Sequence, residues 1–118
     1  MCRKAIIFGC GAIGKLAYDK LYDRYDVVAW SDNNDKLWGK KQFGLPIVCP
    51  AQIGDVARDS HADVFLSMYD SHSVCEQLLN VGIDNPYIWK EGFFILIRII
   101  WYQSVSLELK WCIQVRQD

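Results

Sequence analysis

The chain has 118 residues, 52% of them hydrophobic and 23% charged, a globular composition that suits one domain with its own core and is too short for a complete two-domain dehydrogenase. A net charge of −1 with no long basic run argues against a nucleic-acid partner. Five cysteines, odd in number and without a C-x-x-C pair, suggest neither a disulfide framework nor a zinc cluster, and a reduced, cytoplasmic compartment is expected.

The first element in chain order is an apolar strand, Ala5-Ile6-Ile7-Phe8, which runs straight into Gly9-Cys10-Gly11-Ala12-Ile13-Gly14. In a strand-to-helix turn of this form each glycine has its own task. Gly9 makes the tight turn, Gly11 lets the backbone approach a pyrophosphate, and Gly14 lets the helix pack on the strand. A phosphate there would meet the free N–H groups and the positive dipole end of the following helix, so Gly9, Gly11, Ala12, Ile13 and Gly14 form the candidate phosphate cradle. Cys10 sits inside the turn, where the helix dipole would lower its thiol pKa and make it redox-sensitive; small size is the plainer reason for a cysteine there.

After the turn, Ile13, Leu16, Ala17 and Leu21 recur at helical spacing, with Tyr25 a candidate to extend the same face, and predict a helix of about three turns. Val27-Val28-Ala29-Trp30 reads as a second buried strand ending at Ser31-Asp32-Asn33-Asn34. An acid about 20 residues beyond the glycine turn is placed to accept hydrogen bonds from ribose hydroxyls. Asp32, with Asn33 beside it, is therefore the candidate ribose site, against the alternative of a surface turn made of good turn formers. With no arginine beside Asp32 to hold a 2′-phosphate, an unphosphorylated ribose is expected, as in NAD.

The segment 35–44 is charged and glycine-punctuated and leads to a short third strand, Leu45-Pro46-Ile47-Val48. Pro50 fits the first turn of a helix running to about residue 59, because the missing N–H is unneeded there. Asp63-Val64-Phe65-Leu66-Ser67 reads as the fourth strand, and the polar run from Ser67 through Tyr69, Asp70 and His72 should lie across from the glycine turn, where Ser67 joins the candidate nucleotide site. Ser73-Val74-Cys75-Glu76 has the capping-box pattern, and the helix it starts stops at Gly82. Tyr87-Ile88-Trp89 is a fifth strand.

This alternation predicts an α/β fold: a Rossmann-like open, mainly parallel sheet of order 3-2-1-4-5 with helices on both faces and a ligand site at the switch point between strands 1 and 4. Two regions are expected, a nucleotide-binding domain over 1–92 and an apolar extension over 93–118. In the latter, Leu107, Leu109, Trp111, Ile113 and Val115 alternate with polar residues as in a half-buried strand. Residues 93–102 are either its hairpin partner or a short helix. Interrupted by Arg98, that stretch is about half the ~20 residues a membrane span needs, so no span is expected. Its apolar surface packs on the domain itself, on a second copy in a homodimer, or on a partner catalytic chain.

From the glycine turn through Ser31-Asp32-Asn33-Asn34 and Trp38-Gly39-Lys40-Lys41 to Gly44-Leu45-Pro46, the sequence resembles small Rossmann-like domains of bacterial surface-polysaccharide biosynthesis. It is similar to the amino-terminal domain of sialic-acid and bacillosamine-type sugar acyltransferases, and to domains accompanying polysaccharide-pathway methyltransferases and dehydratases. The resemblance implies a bound NAD or nucleotide-sugar. Two departures accompany it: Ile13 stands where the acyltransferases usually carry a histidine, and their left-handed β-helix repeats are not present. The catalytic inventory is thin, with no Tyr-x-x-x-Lys pair, no G-x-S-x-G elbow and no H-E-x-x-H. The rival readings are an NAD(H)-dependent oxidoreductase subunit, with only Tyr69, Asp70 and His72 as candidate acid–base groups, and a non-catalytic assembly module.

Overall fold

The computed structural model describes residues 3–90, 92–103 and 109–115, with the backbone alone described at 93, 96–103 and 109–115. Strand β1 (Arg3–Phe8) leads to helix α1 (Ala12–Leu21), β2 (Tyr25–Ser31), a 3₁₀ turn at Asp35–Leu37, and the strands β3 (Lys41–Gln42) and β4 (Leu45–Val48). A second 3₁₀ turn, Pro50–Gln52, opens α2 (Ile53–Ser60), followed by β5 (Ala62–Leu66), α3 (His72–Leu79), β6 (Tyr87–Lys90), β7 (Phe93–Gln103) and β8 (Leu109–Val115). The sheet order is β3-β4-β2-β1-β5-β6-β7-β8. Its five central strands, β4-β2-β1-β5-β6, are parallel and stand in the order that the sequence predicts.

Burial explains why β1 is central. Ala5, Ile6, Ile7 and Phe8 are all buried, as expected of a parallel strand covered on both faces. Ala5 and Ile7 pack with Ala17, Leu21, Val27, Trp30 and Phe65 on the α1 side. Ile6 and Phe8 pack with Ile53, Ala57, Val74 and Leu78 of α2 and α3 on the other. Period-two alternation thus divides one apolar run between two cores.

Several local expectations change. Leu16 is 53% exposed; the buried face of α1 is Gly14, Ala17 and Leu21, the first two small enough to bring the helix close to the sheet, and Tyr25 begins β2. Helix α3 begins at His72, so Ser73 lies inside it and the capping box is not used; Ser71 is the N-cap and makes no side-chain capping bond. Gly82 does end this helix region, with φ +87, its N–H donating to Leu79 O and that of Ile83 to Leu78 O, the pattern of a left-handed glycine cap.

Part of segment 35–44 is a hairpin arm. Lys41 pairs with Pro46 and Gln42 with Leu45 around Phe43 (φ 52) and Gly44 (φ 76), two left-handed residues as a type I′ turn requires. Residues 93–103 form a strand, not a helix. β7 pairs antiparallel with β6 and β8, making β8 the terminal strand of the sheet. The expected alternation from Leu107 falls partly outside the described residues, as do the side chains of β8.

Candidate functional site

The site is built on the left-handed turn after β1. Gly9 has φ +112, and its N–H donates to Ser31 O at 2.7 Å, tying the turn to the end of β2. A Cβ on Gly9 would lie 2.8 Å from Ser67 Oγ, and one on Gly14 would lie 1.9 Å from the carbonyl oxygen of Gly9. Both glycines are therefore required by the protein's own packing. Gly11 is different: its φ of −79° suits any residue, and among the described residues nothing lies within 4 Å of where its Cβ would be.

Gly11 is the N-cap of α1, and the first helical bond runs from Lys15 N to Gly11 O. The amides of Ala12, Ile13 and Gly14 precede it and have no acceptor inside the helix. No acidic residue occupies the first turn to offset its positive end. The arrangement presents N–H groups, a helix dipole and open space beside Gly11, and so fits a diphosphate.

Asp32 comes to this turn from β2. Its Oδ2 accepts from Cys10 N at 2.8 Å and its Oδ1 from Asn34 N at 2.8 Å. Each carboxylate oxygen retains acceptor capacity beyond one such bond. The indole N–H of Trp38 donates to the Asp32 carbonyl oxygen at 2.7 Å, fixing the loop from its far side. Asn33 is paired with Gln77 of α3, Nδ2 to Oε1 at 3.1 Å and Nε2 back to Oδ1 at 2.7 Å.

Ser67 lies beneath the turn. Its hydroxyl is 2.8 Å from Phe8 O and 3.1 Å from Gly9 O, and its amide donates to Phe8 O at 2.9 Å. With one hydroxyl hydrogen and little exposure, Ser67 braces the glycine turn against β5. Tyr69, by contrast, is 81% exposed, and the Asp70 carboxylate accepts from His72 N at 3.3 Å. His61 is remote, lining a depression with Gly54 and Asp63 at the opposite end of the strands.

The lesser reading of Cys10, a thiol activated by the helix dipole, is overturned. Burial pushes the Cys10 thiol up to about 11, and the charge and hydrogen bond of the neighbouring Asp32 push in the same direction. Two contributors were not anticipated from sequence: Gln42, whose Nε2 donates to Cys10 O at 3.2 Å, and Gln77. Gln42 reaches the turn only because the β3–β4 hairpin carries it there. Gly44 was the available sign of that hairpin, with Phe43 in the other left-handed position where a glycine or asparagine is usual.

Solved structures share this architecture. UDP-D-quinovosamine 4-dehydrogenase from Vibrio fischeri superposes with a TM-score of 0.68 at 15% identity, over 90% of this chain and 97% of that one. RSP, a Rex-family repressor, in its complex with β-NADH superposes at 0.61 with 17% identity, over 76% of this chain and 47% of the repressor. The chain thus spans under half of the repressor's length, and at these identities the likeness shows a Rossmann-like fold. No curated protein matches the sequence. A family model does, over residues 1–89, three quarters of the chain, and on that match the chain belongs to the C2185-like, N-terminal family.

Proposed function

We propose that the chain binds a diphosphate nucleotide with an unphosphorylated ribose, NAD(H) or a nucleotide-sugar, across the glycine turn, and that it serves bacterial surface-polysaccharide or nucleotide-sugar biosynthesis in the cytoplasm. The observation that carries this reading is Gly11. Among the described residues no contact and no backbone angle asks for glycine there, whereas a pyrophosphate against the backbone does. Gly9, Ala12, Ile13 and Gly14 supply the rest of the cradle, Asp32 accepts from the ribose, Asn33 lies beside it, and Ser67 holds the turn in shape.

The sugar-pathway assignment draws support from the resemblance carried by the glycine turn, the Asp32 loop and Trp38-Gly39, and from the likeness to a UDP-sugar dehydrogenase. Among the described residues no helix is long and apolar enough to cross a membrane. An oxidoreductase role would need an acid–base group beside the reacting carbon. Tyr69, Asp70 and His72, all exposed between β5 and the first turn of α3, are the candidates, and a partner chain or second copy on the extended sheet would complete the catalyst.

Calorimetric titration with NADH, NADPH, UDP-sugars, coenzyme A and S-adenosylmethionine tests the reading. Binding of NADH or a UDP-sugar, abolished in Gly11→Val, is expected. Absence of binding by every diphosphate nucleotide would overturn it.

A further inference from the structure

Cys10, inside the glycine turn, is gripped at both ends of its backbone. Its N–H donates to Asp32 Oδ2 at 2.8 Å, and its carbonyl oxygen accepts from Gln42 Nε2 at 3.2 Å. The first grip comes from the end of β2, and the second from β3, the arm of the hairpin at one end of the sheet.

Gln42 is itself fixed before its side chain reaches the turn. Its own carbonyl oxygen accepts from the indole N–H of Trp30 at 2.9 Å, and Trp30 is fully buried. The next residue, Phe43, sets its ring edge-to-face against Tyr18 of α1, with centroids 4.9 Å apart, and against Trp30 at 5.8 Å. These contacts hold the left-handed tip of the hairpin against the domain, so the amide of Gln42 arrives at Cys10 from an anchored backbone.

A trans peptide group is planar, with its C=O and N–H pointing in opposite directions. The carbonyl of Cys10 and the N–H of Gly11 belong to one such group. Drawing that carbonyl toward the hairpin turns the Gly11 N–H away from it, and the strand order puts β5 and the switch point between β1 and β5 on that other side. Among the described residues no group accepts a hydrogen bond from the Gly11 N–H.

We propose that Gln42 is a positioning residue of the nucleotide site: it sets the plane of the Cys10–Gly11 peptide so that the Gly11 amide faces the diphosphate. The inference rests on the diphosphate-nucleotide reading and adds to it a residue outside the glycine motif that aims one of its donors. A bond that served only to satisfy the Cys10 carbonyl would not single out the response of one amide to ligand.

The test follows ADP and UDP, the diphosphate cores of NADH and of the UDP-sugars, on the full chain by calorimetry and by the amide signals of the ¹⁵N-labelled protein. In the parent, the tighter of the two should shift the Gly11 amide downfield together with those of Ala12 and Ile13. Gln42→Met keeps the length of the side chain and removes its donor, and Gln42→Glu puts an acceptor in its place. Both should weaken that nucleotide by about tenfold, the scale of one hydrogen bond to a charged group, with the Gly11 shift reduced and those of Ala12 and Ile13 kept. Both should melt near the parent, because Trp30 holds the backbone of Gln42 and not its side chain. A Gly11 amide that stays unmoved in the parent while Ala12 and Ile13 respond overturns the inference without any variant. Parental affinity in either folded variant, or weaker binding with the three amide responses unchanged relative to one another, overturns the role of Gln42 and leaves the diphosphate reading standing. Failure of the parent to bind ADP or UDP would overturn both.

Discussion

The Oδ2 atom of Asp32 lies 2.8 Å from the amide nitrogen of Cys10, so the acid at the end of β2 holds the glycine turn at the end of β1. One carboxylate therefore shapes the glycine turn, and in the proposed function the same group accepts from the ribose. Asp32→Ala is expected to lower stability by ~1–3 kcal/mol, the range for leaving backbone donors unpaired, and to weaken NADH binding as well. Asp32→Asn, which keeps one carbonyl oxygen, should be milder in urea denaturation. Tighter binding of NADPH than NADH to the unaltered protein would contradict the ribose role.

Gly11→Val separates folding from binding. The new side chain enters open space at an ordinary backbone angle, so the cost should be about 1 kcal/mol, that of a poor N-cap residue. Nucleotide binding should vanish in the same protein. A variant that melts like the parent and still binds with parental affinity would remove the central support for the site.

Gly14→Ala should do the reverse. Alanine favours a helix interior by ~1 kcal/mol over glycine, yet here its methyl would sit 1.9 Å from a backbone oxygen. The clash should prevail and destabilise by about 3 kcal/mol, at the upper end for overpacking. Chemical denaturation gives the sign directly, and a stabilised variant would mean that α1 does not pack as described.

The buried thiols set an alkaline limit. Cys10 and Cys75 are both pushed from the ordinary value of 9.0 up to about 11, chiefly by burial. The fold thus prefers their neutral forms. The stability they contribute is complete below pH 9 and is lost as the pH rises to about 11. Urea midpoints should fall across that interval, less steeply in a Cys10→Ser, Cys75→Ser double variant. Both thiols should also react slowly with iodoacetamide at pH 8 in the folded protein, and rapid modification of Cys10 would contradict its described environment.

Among the described residues strand β8 ends the sheet, and a terminal strand of seven residues, Leu109–Val115, is a template for pairing with another chain. A homodimer closed by two-fold pairing of this edge is expected in sedimentation, dissociating to folded monomers in a Leu109→Lys, Ile113→Lys variant. A monomeric parent would rule it out.

Much of this was legible in the residues themselves. The apolar runs, glycine punctuation and helical spacings carried the order of the five parallel strands, because a buried parallel sheet leaves a strong local signature. What stayed hidden depends on distant pairing. Nothing near Gln77 marks it as the partner of Asn33, and a serine such as Ser67 reads the same whether its hydroxyl faces a ligand or a backbone carbonyl. Phe43 in a left-handed conformation concealed a hairpin that an Asn-Gly pair would have announced. The environment of Cys10 turned on a competition between dipole, burial and a carboxylate from another strand, which only the assembled turn decides.

Trp38 gives the loop an optical handle. The residue is 39% exposed, and its N–H is anchored on the carbonyl oxygen of Asp32, whereas Trp30 and Trp89 are buried and the side chains of Trp101 and Trp111 lie outside the described ones. Indole emission responds to the polarity and hydrogen bonding around the ring, so the colour and yield of Trp38 fluorescence track the conformation of the residue that would grip the ribose. Rearrangement of that loop is thereby measurable without a label, as the difference in emission between the parent and a Trp38→Phe variant.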